Sequence, residues 1–108
     1  MTHHEFLQVF VTIDDKEKAY ALCKEVVDKR LAACAQVLGP IQSIYWWQGK
    51  VEDSEEWLIL MKTSQDRYAE LERTVISLHP YDTPEVIAIP ILKGSEKYLK
   101  WLVGELQE

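Results

Sequence analysis

Apolar positions along the chain change period several times, and each change marks an element boundary. Phe6 to Ile13 (FLQVFVTI) is rich in β-branched and aromatic residues and gives way at Asp14-Asp15, so it predicts a first strand. Asp14 with Glu17 has capping-box spacing, and Ala19, Leu22, Cys23, Val26 and Val27 recur at helical intervals, which predicts a helix running to about Arg30. Ala33 to Val51 alternates again, interrupted by Gly39-Pro40, and reads as a long strand with a bend or bulge near its start. The polar run Glu52-Asp53-Ser54 is expected to turn the chain into a further strand, Glu56 to Thr63, completing a long antiparallel hairpin with charged residues at its tip.

Ser64 is the expected N-cap of a second helix carrying Tyr68, Leu71, Val75 and Leu78 on one face. That helix stops before His79-Pro80, because proline disfavours helical geometry in the residue preceding it. After the turn Tyr81-Asp82-Thr83-Pro84, the run Val86 to Leu92 reads as a fourth strand, with Pro90 marking an edge or bulge. From Ser95 onward Tyr98, Leu99, Trp101, Leu102 and Leu106 form the stripe of a terminal helix. The order strand-helix-strand-strand-helix-strand, with an extra C-terminal helix, predicts an α+β, ferredoxin-like split βαβ sandwich: an antiparallel sheet with two helices over one face.

Alternation also shows what that layer leaves uncovered. Leu7, Val9, Val11 and Ile13 point one way and Phe6, Phe10 and Thr12 the other. Trp57, Ile59 and Met61 likewise oppose Leu58 and Leu60, and Val86 to Ile89 is apolar on both sides. One helical layer cannot cover both faces, so cover comes from another subunit or from the terminal helix folding back. The aromatic hairpin favours self-association, because an isolated two-stranded ribbon is marginal in water and its edge invites strand addition.

Composition narrows the function. Residues 1–108 read as a single domain, 47% hydrophobic and 28% charged, with a formal net charge of −6 and no basic face for phosphates, which argues against nucleic acid as a partner. Met1 to Glu5 lacks a basic leader and no apolar run approaches a membrane span, so the expected location is cytoplasmic, away from the membrane. Cys23 and Cys34 lack zinc-type spacing and read as free thiols in a reducing compartment. No nucleophile elbow, phosphate loop or Ser/His/Asp arrangement is present, which points to a non-enzyme.

The segments LAACAQV, SIYWWQGKVEDSEEWLILMKT, HPYDTPEV and YLKWL together resemble the CutA divalent-cation tolerance family over nearly the whole chain. The most specific positions are Ser43, Tyr45, Trp47, Gly49 and Lys50 on the hairpin, Glu56, Lys62 and Thr63 behind it, and His79-Pro80-Tyr81 with Pro84-Glu85. The resemblance implies a homotrimer joined by intermolecular sheet pairing, similar in architecture to the PII signalling proteins, and a role in tolerance of copper and other divalent cations.

It also offers Cys34, His79 and Glu85 as metal ligands, a thiolate and imidazole being suited to copper or zinc; no cofactor is expected to be required, and Cu2+ or another divalent cation is the ion such a site could take. Thr12 stands where some relatives carry a further cysteine. Packing competes with these roles: Cys34 also reads as a small buried hydrophobe and His79 as the close of a helix. His3 and His4 are adjacent near the terminus and could scavenge metal weakly. A second expectation is a PII-like sensor whose inter-subunit cleft gathers Trp47, Glu56, Lys62 and Tyr81 around a small ligand, with a Glu56–Lys62 ion pair as the structural alternative.

Overall fold

The computed structural model describes residues 5–107; His3 and His4 lie outside the described residues. Its elements are β1 (Phe6–Ile13), α1 (Lys16–Asp28), β2 (Cys34–Trp47), β3 (Lys50–Ser64), α2 (Tyr68–Leu78), β4 (Val86–Pro90) and α3 (Glu96–Leu106). The strands form one antiparallel sheet in the order β2-β3-β1-β4. This is the split βαβ arrangement expected from the sequence.

Strict alternation in β1 buries Leu7, Val9, Val11 and Ile13. Val9, Val11 and Ile13 pack with Ile59 and Met61 of β3, with Ala19, Leu22 and Val26 of α1, and with Leu71 and Val75 of α2. The core is thus the layer between the sheet and the first two helices. Thr63 is fully buried within it because its hydroxyl donates to the Leu31 carbonyl at 2.6 Å.

Two helix starts differ from expectation. The N-cap of α1 is Asp15, not Asp14: its Oδ1 accepts from the Lys18 amide at 2.9 Å, and Ile13 is still paired in the sheet, so the cap falls where the chain has cleared the last ladder position. Ser64 does not cap α2. It is the last residue of β3, paired with Phe6, and its hydroxyl donates to Asp66 instead. Leu78, expected on the buried stripe of α2, is exposed, because the helix ends there and the chain leaves its packed face.

The largest departure lies in the hairpin. Glu52, Asp53 and Ser54 are ladder residues of β3, and the tip is Gln48-Gly49, closing between Trp47 and Lys50. Both tip residues have positive φ, 49° and 80°, the signature of the type I′ turn whose twist matches a two-residue hairpin. The turn was hidden because Gln48 is not among the residues that announce such turns, whereas the acidic run beyond it looked like one.

The expected bulge is present. Leu38 pairs with Leu58 and Ile41 with Glu56, so Gly39 and Pro40 together stand opposite Trp57 alone. One extra residue reverses the parity of β2. Before it, Cys34, Gln36 and Leu38 share the sheet face of Lys62, Leu60 and Leu58; after it, Ile41, Ser43, Tyr45 and Trp47 share the face of Glu56 and Ser54.

The position of α3, left open by the sequence, is now fixed. It packs against β3, and the Tyr98 hydroxyl lies 3.7 Å from Cys34 Sγ, on the face opposite α1 and α2. Leu102 and Leu106 are buried there. Arg30 and Arg67 donate to the carbonyls of Glu105 and Leu106, tethering the negative end of the α3 dipole. The helix covers only part of this second face: Leu38, Ile87 and Ile89 remain exposed. No helix among the described residues is long and apolar enough to cross a membrane.

Candidate functional site

Beyond the end of β1, the segment after α2 crosses the end of the sheet toward the base of the hairpin ribbon. His79 fixes this crossing. Its Nε2 lies 2.8 Å from the Thr12 carbonyl, and its Nδ1 accepts the Tyr81 amide at 3.1 Å, which makes Nδ1 the acceptor and Nε2 the donor. The imidazole and the Tyr81 ring meet edge to face, centroids 4.6 Å apart. Held this way, the Tyr81 hydroxyl donates to Glu56 Oε2 at 2.6 Å.

Glu56 is only 4% exposed. Burial, followed by the bond to Glu56 and the negative charges of Glu56 and Asp14, pushes the Tyr81 phenol well above its ordinary range, so this hydroxyl remains a donor at physiological pH. Beside the pair opens a cleft of about 690 Å³ whose walls include Thr12, Tyr45, Trp47, Asp82 and Glu85. Tyr45 is steadied by a 3.2 Å contact between its hydroxyl and that of Ser54. It reaches this wall because of the bulge at Gly39-Pro40; without the extra residue, Tyr45 and Trp47 would share the opposite face from Glu56.

Of the four residues expected to line a ligand cleft, Trp47, Glu56 and Tyr81 come together. Lys62 does not. It is opposite Cys34 on one side and Gln8 on the other, six residues along β3 from Glu56 and therefore about 20 Å away along the strand. Glu56 is paired with Tyr81, and none of the ion pairs among the described residues joins it to Lys62.

The three expected metal ligands are also separated within one chain. Glu85 is exposed at the cleft. His79 has both ring nitrogens engaged at the Thr12 end of β1, while Cys34 is level with Gln8 and two strands across from β1, so the two are separated by more than about 13 Å. Among the described residues no three His, Cys, Asp or Glu side chains are grouped so as to hold a metal ion. Asp82 and Thr12 were not expected at this site. Asp82 had been read only as turn chemistry, and Thr12 contributes its backbone carbonyl, which no side-chain pattern reveals.

A family model described as CutA1 divalent ion tolerance protein matches residues 7–105. The chain belongs to the CutA1 family. The Divalent-cation tolerance protein CutA of Thermus thermophilus is 42% identical over 94 residues, spanning 87% of this chain and 91% of that protein. Protein CutA 1, chloroplastic, of Oryza sativa is 41% identical over 100 residues, spanning 93% of this chain. The chain spans about half the length of the plant and mammalian relatives it matches, 56% of the rice protein and 52% of the human one. Among solved structures, CutA1 from Oryza sativa superposes with a TM-score of 0.93 at 39% identity, covering 100% of this chain and 99% of that one. The Thermus thermophilus protein gives 0.88 at 40% identity, covering 90% and 94%. The CutA1 assignment thus rests on both sequence and fold.

Proposed function

We propose that this CutA1-family chain acts as a homotrimer in the response to divalent cations and binds a divalent metal, copper foremost, through Cys34, His79 and Glu85 brought together between subunits. The observation that supports it is the second face of the sheet, where Leu38, Ile87 and Ile89 stay exposed although α3 lies beside them. Apolar sheet surface of this kind calls for a partner surface, and Cys34 borders it on the edge strand β2. A thiolate with an imidazole suits copper. Uptake through His79 requires one of its two ring hydrogen bonds to open, and uptake through Cys34 requires its 3.7 Å contact with the Tyr98 hydroxyl to open. The two free cysteines support a reducing, cytoplasmic setting, and the reading assigns no catalytic step.

Calorimetric titration of tag-free protein with Cu2+ tests the metal. The His3→Ala/His4→Ala background removes the terminal imidazoles as rivals. In that background, adding Cys34→Ser and His79→Ala is expected to weaken copper binding at least tenfold; undiminished affinity would sink the ligand assignment.

A second reading is favoured by the cleft itself. A buried carboxylate, a fixed phenol and an indole around one opening form the kind of site that selects a small organic molecule, as in a PII-like sensor. A saturable change in tryptophan fluorescence of metal-free protein on adding a small ligand would support it over the metal reading.

A further inference from the structure

Glu56 has almost no contact with solvent and, among the described residues, no basic partner. Its one hydrogen bond from a side chain comes from the uncharged Tyr81 hydroxyl, and no ion pair among the described residues includes it. A buried carboxylate is ordinarily matched by a cation, because taking the charge out of water is otherwise unfavourable. The group that would match it is therefore to be sought on the open side, in the cleft.

The cleft has the same sign throughout. Besides Glu56, its walls include Asp82 and Glu85, and among the described residues no lysine, arginine or histidine lines it. A phosphate or carboxylate ligand would meet three negative charges with nothing to balance them. The remaining walls include the rings of Tyr45, Trp47 and Tyr81, whose π faces attract organic cations and offer nothing to a hard metal ion. A volume of about 690 Å³ is in the range of small-molecule sites.

We infer that this cleft binds a small organic cation, a primary ammonium or guanidinium compound, with its charged head at Glu56 and its carbon chain against the aromatic wall. The inference rests on the ligand-cleft reading above and names the chemistry of the ligand. It makes the site unlike a nucleotide-binding one, where basic groups face the ligand.

Titration of the metal-free full chain with putrescine and agmatine, with ATP as the anionic comparison, tests it by tryptophan fluorescence and calorimetry. Saturable binding of either cation is expected, weakened at least tenfold in Glu56→Gln, which keeps an acceptor for Tyr81 but removes the charge. If Glu56→Gln fails to fold by circular dichroism, Asp82→Asn/Glu85→Gln, at exposed positions, decides instead, with a two- to fivefold loss expected. No binding of either cation, or unchanged affinity in the variants, would overturn the inference. Saturable binding of ATP alone would overturn the cation chemistry and leave the cleft reading standing, whereas no response to any probe would remove both. A lysine or arginine of a second copy packed on Glu56 in a structure of the assembly would also overturn it.

Discussion

Cys23 and Tyr81 show how burial sets the chemistry of individual side chains here. The Cys23 thiol lies on α1 inside the core, and desolvation pushes it from 9.0 up to about 11. The folded chain keeps this proton over a range in which the unfolded chain releases it. Its stabilising effect is therefore complete below pH 9 and is lost progressively as pH rises toward 11. Cys23→Ala is expected to be less stable at pH 7, having lost core volume, yet to lose correspondingly less between pH 9 and 11. Urea midpoints measured at both pH values check this. Tyr81, also raised, adds its own loss above pH 10 in both proteins, so their difference isolates Cys23.

At this scale the sequence was legible where side chains repeat a period and opaque where backbone atoms act. Val9, Val11, Ile59 and Met61 were assigned to one face from alternation alone, and all are buried. Glu56 and Tyr81 were expected at a cleft between subunits together with Lys62; within one chain the two bond to each other. The role of His79 as a brace between the Thr12 carbonyl and the Tyr81 amide was not legible, since both partners are main-chain groups.

At the scale of elements, the hairpin carries the strongest consequence. The single extra residue at Gly39-Pro40 turns the outer half of β2 over, and so decides which aromatics reach Glu56. Glycine is needed at this point: its φ is 154°, and a Cβ built there would approach Trp57 Cδ1 to 2.6 Å. Gly39→Ala is expected to destabilise the chain by about 1–3 kcal/mol and to shift tryptophan fluorescence as Trp57 is displaced. Denaturant unfolding followed by fluorescence checks both. A bulge was foreseen from the Gly-Pro pair, but its effect on facing was not, because that depends on exactly two residues standing opposite one, a register fact that only the ladder supplies. Lys62 shows the converse: its face was read correctly from alternation, but alternation fixes facing and not position along the strand, which separates Lys62 from Glu56 within one chain.

At the scale of the molecule, the second face remains the unfinished surface. The terminal helix settles over one end of it, burying Leu102 and Leu106 under the grip of Arg30 and Arg67. Ile87, on the edge strand β4, is still 54% exposed, and Trp46 on the projecting ribbon 74%. Edge strands and apolar ribbons left in this state are protected in folded proteins by pairing or cover, and a symmetric set of copies supplies both. The exposed face supports the homotrimer proposed above, a proposal independent of whether copper or an organic cation proves to be the ligand. Multi-angle light scattering on metal-free protein at micromolar concentration tests that claim most directly. The expected mass is three times that of one chain, and it should fall in Ile87→Lys/Ile89→Lys; a mass of one chain for the unmodified protein would contradict the account.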